Sequence, residues 1–360
     1  MIFQEDDKQE IISRFLDLCS IDNESGNEDQ IVEWVKHHAE SLGLELYVDD
    51  AKNIHFFVEG EGEPIFLNAH MDSVQPCCGK EPAFDGSIFY SQGDTVLGAD
   101  TLAGVLSVMM AVTFLNRHAI SHAPLDILFT TMEEIGGAGI KSFDFTRFQS
   151  HKGIVVDSKG PVGSFVMKSP TKANFSLFIS AQTMHASYIQ NNISAVVIMA
   201  ELIHALPVGK IQEGLFLNIG MAEGGQAVNS VPGAARIEGE IRGNSQEVQG
   251  IIDLIQTIVK KIEKKYDTQI LFSHNVLRES YEISSDEEIV DEIISTIKNI
   301  DLEPQAIESH GVSDANTFRS KGYNALLIGT GVKDLHTTKE TISLESLLKL
   351  IELIIEFCRV

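Results

Sequence analysis

Short apolar runs alternate with helical patterns along this chain, and several of the runs lead directly into a histidine or a carboxylate. The runs LELYV (44–48), IHFFV (54–58), IFLNA (65–69), LDILFTT (125–131), IVV (154–156) and ALLIG (325–329) read as strands, with Gly-rich turns between the early ones. Apolar residues recur at helical spacing in Ile11, Ile12, Phe15, Leu16 and Cys19, in Ile31, Val32, Val35, Ala39 and Leu42, in Val105, Val108, Met109, Val112 and Leu115 within a helix from Thr101 to His118, and in a closing helix from Leu344 to Phe357. The second of these follows a Ser25-to-Glu28 pattern that reads as a capping box, and it stops at Gly43. Strands with nearly continuous apolar character must be covered on both sides. The alternation therefore predicts an α/β fold, a mostly parallel sheet with helices on both faces.

Between 169 and 277 the texture changes. Period-two segments (Phe175, Leu177, Ile179; Ala235, Ile237, Gly239, Ile241) accompany helices near Ser194–Leu206 and Val248–Lys265. This predicts a smaller α+β domain over 169–277 inserted into a first domain made of 1–168 and 278–360. The 52 acids against 27 bases give a net charge of −25, a surface that repels phosphate backbones and anionic headgroups, so nucleic acid and membrane are excluded as expected partners. Cys19, Cys77, Cys78 and Cys358 are too few and too scattered for a disulfide framework and lack CxxC spacing. The N-terminus is acidic, and the apolar-rich run Gly104–Leu115 is shorter than a bilayer span. The expected location is the cytoplasm.

The chemistry concentrates where strands end. His70 and Asp72 follow IFLNA, Glu133 and Glu134 follow LDILFTT, Asp157 follows IVV, His336 lies beyond ALLIG, and Asp100 stands in a Gly-rich stretch just before a helix. Sites in open α/β sheets assemble outside the carboxyl ends of the strands. Singly, each residue is as readily a surface histidine or a helix cap; together they make a ligand set. Imidazole nitrogen and carboxylate oxygen suit zinc and similar divalent ions, and a carboxylate can bridge two of them. Asp100 is the natural bridge, with His70 and Asp157 on one ion and Glu134 and His336 on the other. The adjacent acids Glu133 and Glu134 point in different directions, so Glu134 can ligate while Glu133 acts as general base. Asp72 is placed to hold the second nitrogen of His70.

This order of residues resembles the di-zinc metallopeptidase family that includes peptidase T, glutamate carboxypeptidase and aminoacylase. The resemblance runs through NAHMDSV (68–74), GADTLAGV (98–105), TMEEIGGAG (131–139), VVDSKG (155–160), GGQAVNSVPGAARIEGEIR (224–242), GVSDANTF (311–318) and the HTTKE run from His336. It implies a catalytic domain interrupted by a lid that also dimerises the protein, two divalent ions per chain (zinc, with cobalt or manganese as substitutes), and hydrolysis of short peptides, closest to the tripeptidase branch. Two departures stand out: Thr101 and Leu102 follow the bridging Asp, and the segment around the lid histidine reads AQTMHAS (181–187), with both customary glycines replaced.

His185, in the lid, is expected to stabilise a developing oxyanion, the alternative being a surface histidine. Arg242 is a candidate for a substrate carboxylate or an exposed strand-end arginine, and Asn229 matches the lid's substrate contacts. Gly224 and Gly225 fit the lid or a turn; Asp314 and Asn316 either line the pocket or cap the helix after them. Three functions remain open at this level: an exopeptidase, a related carboxypeptidase or N-acyl-amino-acid amidohydrolase, and a catalytically silent peptide-binding relative. The last has no use for Glu133.

Overall fold

A computed structural model describes residues 3–188 and 194–360. The chain divides into two compact units, one formed by the stretch up to Lys168 with Glu282–Ser309 and Ser313–Val360, the other by Ser169–Tyr281 with His310–Val312.

The first unit begins with helices α1 (Glu5–Cys19) and α2 (Asp29–Ser41), then strands β1 (Leu46–Val48), β2 (Ile54–Val58) and β3 (Ile65–His70). A hairpin of β4 (Pro82–Phe84) and β5 (Ile88–Ser91) precedes α3 (Ala99–Arg117), β6 (Leu125–Thr130), α4 (Ala138–Ser142), β7 (Lys152–Ser158) and β8 (Ser164–Ser169). The second unit holds β9 (Thr171–Ser180), β10 (Met184–His185), α5 (Ala195–Ala205), β11 (Gly209–Gln212), β12 (Leu215–Gly224), β13 (Ser230–Val231), β14 (Ala234–Gly243), α6 (Ser245–Tyr266) and β15 (Gln269–Arg278). The chain closes with β16 (Tyr281–Glu282), α7 (Glu288–Asn299), β17 (Gln305–Glu308), α8 (Asp314–Ser320), β18 (Asn324–Gly329), β19 (Thr341–Ser343) and α9 (Leu344–Cys358).

The large sheet runs β1-β2-β6-β3-β7-β18-β8-β16, with β17 on β8. Its centre, β6-β3-β7-β18, is parallel; β1, β2 and β8 join antiparallel on the flanks. Every residue of β3 and β6 is buried, so both faces of the sheet are covered and the strands read as unbroken apolar runs. Helix α3 packs on β3, β7, α1 and α9. By length and composition α3 could cross a membrane, which differs from the shorter apolar run read in the sequence; all of Ala99–Leu115 is buried, which makes α3 the core helix of the unit.

One local expectation is corrected. Ser25 and Glu28 form no capping box: Glu28 itself is the N-cap of α2, and its Oε1 accepts the N–H groups of Gly26 (2.8 Å) and Met132 (3.0 Å). The β4–β5 hairpin, which β19 extends along β5, has strands too short for a period to show.

The second unit is an antiparallel sheet, β11-β12-β14-β9-β15. Burial alternates along β9, and its inward residues Ala173, Phe175, Leu177 and Ile179 pack with Ile198 and Leu202 of α5 and Ile252, Ile255 and Val259 of α6. Helix α6 carries a true capping box, Asn244 with Glu247. The short segment 310–312 joins this unit because Gly311 O accepts the Ser169 hydroxyl at 3.0 Å and His310 O accepts Arg242 at 3.0 Å.

His38 on α2 is buried; its Nδ1 accepts from Arg14 at 3.0 Å and its Nε2 lies 3.3 Å from Thr113 Oγ1. Burial, with the Arg14 charge added, pushes its pKa down to about 4. The folded imidazole is therefore neutral where the unfolded one, titrating near 6.5, takes up a proton. Between these two values the unfolded state binds more protons, so stability is lost as pH falls through the window, by at most about 1.4 kcal/mol per pH unit. Urea unfolding of wild type and His38→Gln at pH 7, 6, 5 and 4.5 should show a flatter acid limb in the variant; parallel limbs would contradict the assignment.

Candidate metal centre

His70 is the last residue of β3, Asp157 lies at the end of β7, Glu133 and Glu134 sit in the turn after β6, and His336 is in the loop after β18. These four strands are the parallel centre of the sheet, so all five side chains gather at its carboxyl edge. Asp100 arrives from the start of α3, where its backbone is non-helical (φ −86°, ψ 104°) and its bond to Thr101 is cis.

The donor atoms pair off around Asp100. His70 Nε2 is 3.6 Å from Asp100 Oδ1 and 3.3 Å from Asp157 Oδ1. His336 Nε2 is 3.0 Å from Asp100 Oδ2 and 3.1 Å from Glu134 Oε1. His70, Asp100 and Glu134 each offer a donor atom within 4.8 Å of the other two. Ligand bonds of about 2.0–2.2 Å place neighbouring donors of a tetrahedral shell about 3.3–3.6 Å apart; the His70 distances have this spacing, and the His336 distances, at hydrogen-bond length, are a few tenths of an ångström shorter.

Charge makes the same case. Three carboxylates share a largely buried site, which demands positive charge. In the protein alone that charge falls to the histidines. Hydrogen bonds to Asp100 and then Glu134 raise His336 to about 10. Burial works against the His70 cation, yet Asp157, Asp100 and Asp72 together hold its pKa well above the usual value. Burial pushes Asp157 up to about 7 against the pull of His70, whereas His336 and His70 hold Asp100 well below the usual carboxylate range despite its burial.

Around the donors, buried carboxylates grip main-chain amides. Asp72 Oδ1 accepts Glu133 N–H at 2.9 Å, and Oδ2 accepts Glu134 N–H at 3.1 Å and the Ser25 hydroxyl at 2.5 Å. The sequence predicts that Asp72 holds His70 through its carboxylate; His70 Nδ1 is nearer the main-chain oxygen of Asp72 (3.0 Å) than its Oδ1 (3.4 Å), because the carboxylate is turned to the Glu133 turn. Glu28 fixes the preceding amide, that of Met132. Met132 (φ 54°) and His336 (φ 60°) are both left-handed without being glycine, a conformation that costs about 1–3 kcal/mol and persists only where surroundings impose it. Ser25, Glu28 and Glu340 were not expected at the site. Glu28 looked like a cap, and Glu340 stood in the HTTKE run without an assigned part.

The remaining candidates divide. Asn316 completes a capping box with Ser313 at the start of α8, while Asp314 Oδ2 accepts the Thr130 hydroxyl at 2.6 Å at the end of β6. Cys77 is buried, its thiol pushed up to about 11 by burial and the neighbouring Cys78. In the second unit His185 is exposed, with Nδ1 2.7 Å from Ser187 Oγ, and Ala186 N–H donates to Asn229 O at 2.9 Å, which brings His185 and Asn229 together. Arg242 turns its Nε and Nη2 to the two oxygens of Glu240 at 3.0 and 3.3 Å, so its fork is engaged within the sheet. Gly225 (φ +83°) and Gly224, where a Cβ would come within 2.8 Å of Val196, meet backbone and packing needs.

If both histidines are cationic in the metal-free protein, ion binding must expel their protons, because the ligand is neutral imidazole. Calorimetric titration of metal-free protein with zinc at pH 7, in buffers of different ionisation enthalpy, should show about two to three protons released per chain filled, two from the histidines and a fraction from Asp157. Release of none would contradict the charge arrangement described here.

Comparison with known proteins places these units. Residues 171–267 match the family described as peptidase dimerisation domain, of the M20 peptidases. Peptidase T of Listeria welshimeri serovar 6b is 27% identical over 316 residues, covering 83% of this chain and 74% of its own. Among solved structures, a tripeptidase from Staphylococcus aureus subsp. aureus Mu50 superposes with a TM-score of 0.93 and aminopeptidase PepT from Bacillus cereus ATCC 10987 with 0.89, each 27% identical and each covering 98% of both chains. The likeness spans both units and the stretches that carry the candidate donors: the chain is similar over most of its length to peptidase T and to the two peptidase structures, and its second unit matches the peptidase dimerisation domain.

Proposed function

We propose that this protein is a zinc-dependent exopeptidase that shortens small peptides, tripeptides first among them, in the cytoplasm, and that it pairs as a homodimer through the unit matching the peptidase dimerisation domain. That the similar solved structures are a tripeptidase and an aminopeptidase supports the substrate class. The observation that carries the reading is the division of Asp100, one oxygen toward His70 and the other toward His336. On this reading His70 and Asp157 would hold one ion, His336 and Glu134 the second, and Asp100 both. Bound there, two divalent ions supply Lewis acidity toward a water and toward the scissile carbonyl.

The chain's own groups do the rest. Glu133, buried and fixed through its amide by Asp72, would take the proton of the attacking water on its carboxylate and return it to the departing nitrogen. Asp72 keeps the turn that aims Glu133. We assign oxyanion stabilisation to His185 and substrate contacts to Asn229 and Arg242; Arg242 would have to exchange Glu240 for the substrate.

The test is steady-state kinetics of zinc-, cobalt- and manganese-loaded protein on di- and tripeptides with free or blocked ends. Free-amine tripeptides should be the best substrates. Glu133→Gln should keep its metal and lose turnover about 10²-fold or more, and His185→Ala should lower kcat with KM little changed. Metal loss in Glu133→Gln with turnover intact in its metal-loaded fraction would reverse the roles of Glu133 and Glu134. A preference for blocked amines would move the activity to the carboxypeptidase or amidohydrolase class.

A further inference from the structure

Glu340 lies four residues beyond His336 and is 1% exposed. Its carboxylate crosses to the turn that delivers Asp100: Oε2 accepts Gly98 N–H at 2.7 Å and Oε1 accepts Asp100 N–H at 2.9 Å. Helix α3 has Gly98 at its N-cap and no local side chain to cap it. The amides of Gly98 and Asp100, at the irregular start of this helix, are therefore satisfied by an acid from the far end of the chain.

The turn leaves little room for an alternative. Gly98 is left-handed (φ +77°), and a Cβ there would lie 2.9 Å from Lys80 Nζ and 3.1 Å from Ser73 Oγ. Lys80 is itself buried and donates to Asn23 Oδ1 at 2.6 Å. On the carbonyl side of Asp100, Ser73 Oγ lies 3.5 Å from Asp100 O. The peptide groups flanking the Asp100 side chain are thus pinned from two directions. The His336 loop is tied to the same acid through the chain: Glu340 N–H donates to Thr337 O at 3.1 Å, and Lys333 and Thr341 exchange backbone hydrogen bonds at 2.9 and 3.1 Å across the loop's base.

We infer that Glu340 is a positioning residue that holds Asp100 and His336 in one geometry and thereby sets the affinity of the metal centre. The inference rests on the metal-binding role proposed above for those two residues. A carboxylate that presents its two oxygens to two different histidines tolerates little displacement of its own backbone, and outer partners of this kind are worth 10- to 100-fold in metal affinity.

Glu340→Gln separates this role from packing, because glutamine fills the same volume but sets an amide NH₂ against the N–H of Gly98 or Asp100. Zinc and cobalt affinity would be measured by chelator competition on the whole protein, together with the visible spectrum of the cobalt form and the thermal midpoint of the metal-free form. The expected result is affinity weaker by about 10- to 100-fold for at least one ion, an altered cobalt spectrum and a metal-free fold that melts as a single transition. Wild-type affinity and spectrum in Glu340→Gln would overturn the inference while leaving the metal centre in place. If Glu340→Gln does not fold, Glu340→Asp keeps the charge and both acceptor oxygens on a shorter reach: weakened binding there supports the inference and wild-type binding overturns it. A wild-type chain that binds neither ion would overturn the proposed centre and the inference with it.

Discussion

Asp100 turns one carboxylate oxygen toward His70 from early in the chain and the other toward His336 from near its end, and much of the first unit is arranged to make that possible. Three acidic donors crowded into a buried place repel one another and resist leaving water; they coexist only if cations stand among them. In the protein alone the imidazolium groups provide that charge, which is why His336 is raised to about 10 and Asp100 is held low. Two divalent ions would supply more charge at the same points, and the parallel sheet makes the gathering possible by delivering neighbouring strand ends to one edge.

A second device recurs around the donors. Asp72, Glu28 and Glu340 are buried carboxylates whose partners include main-chain N–H groups, and each fixes a turn that carries a donor or the proposed base. Burying an acid is costly unless its hydrogen bonds are made, so each of these turns is held by groups that lose heavily if the turn moves. The left-handed Met132 lies inside one such turn. Rigidity at the centre thus comes from polar groups reaching across the fold, while the apolar strands behind it supply the platform.

The legible part of this molecule was the part with a local signature. Strands β2, β3, β6 and β18 announced themselves as apolar runs, α6 and α9 as helical periods, and His70, Asp157, Glu134 and His336 as polar residues in or just beyond strand ends. Much of what remained hidden depends on contacts between residues far apart in the chain. Glu340 meets Gly98 across 242 positions and Glu28 meets Met132 across 104, and no periodicity records either. Glu28 has the spacing of a capping box with Ser25, yet its carboxylate serves the amides of Gly26 and Met132. The Arg242–Glu240 pair, two residues apart on one strand, carries no signature that separates it from ordinary alternation. The segment 310–312 belongs to the second unit through two carbonyl contacts that leave no mark in composition.

X-ray absorption at the zinc edge of fully loaded protein addresses the bridging carboxylate most directly. The account predicts nitrogen and oxygen ligands at about 2.0–2.2 Å with no sulfur, and a metal–metal scattering feature at about 3.5–4 Å. A spectrum with sulfur at about 2.3 Å, or a fully occupied site without metal–metal scattering, would contradict it.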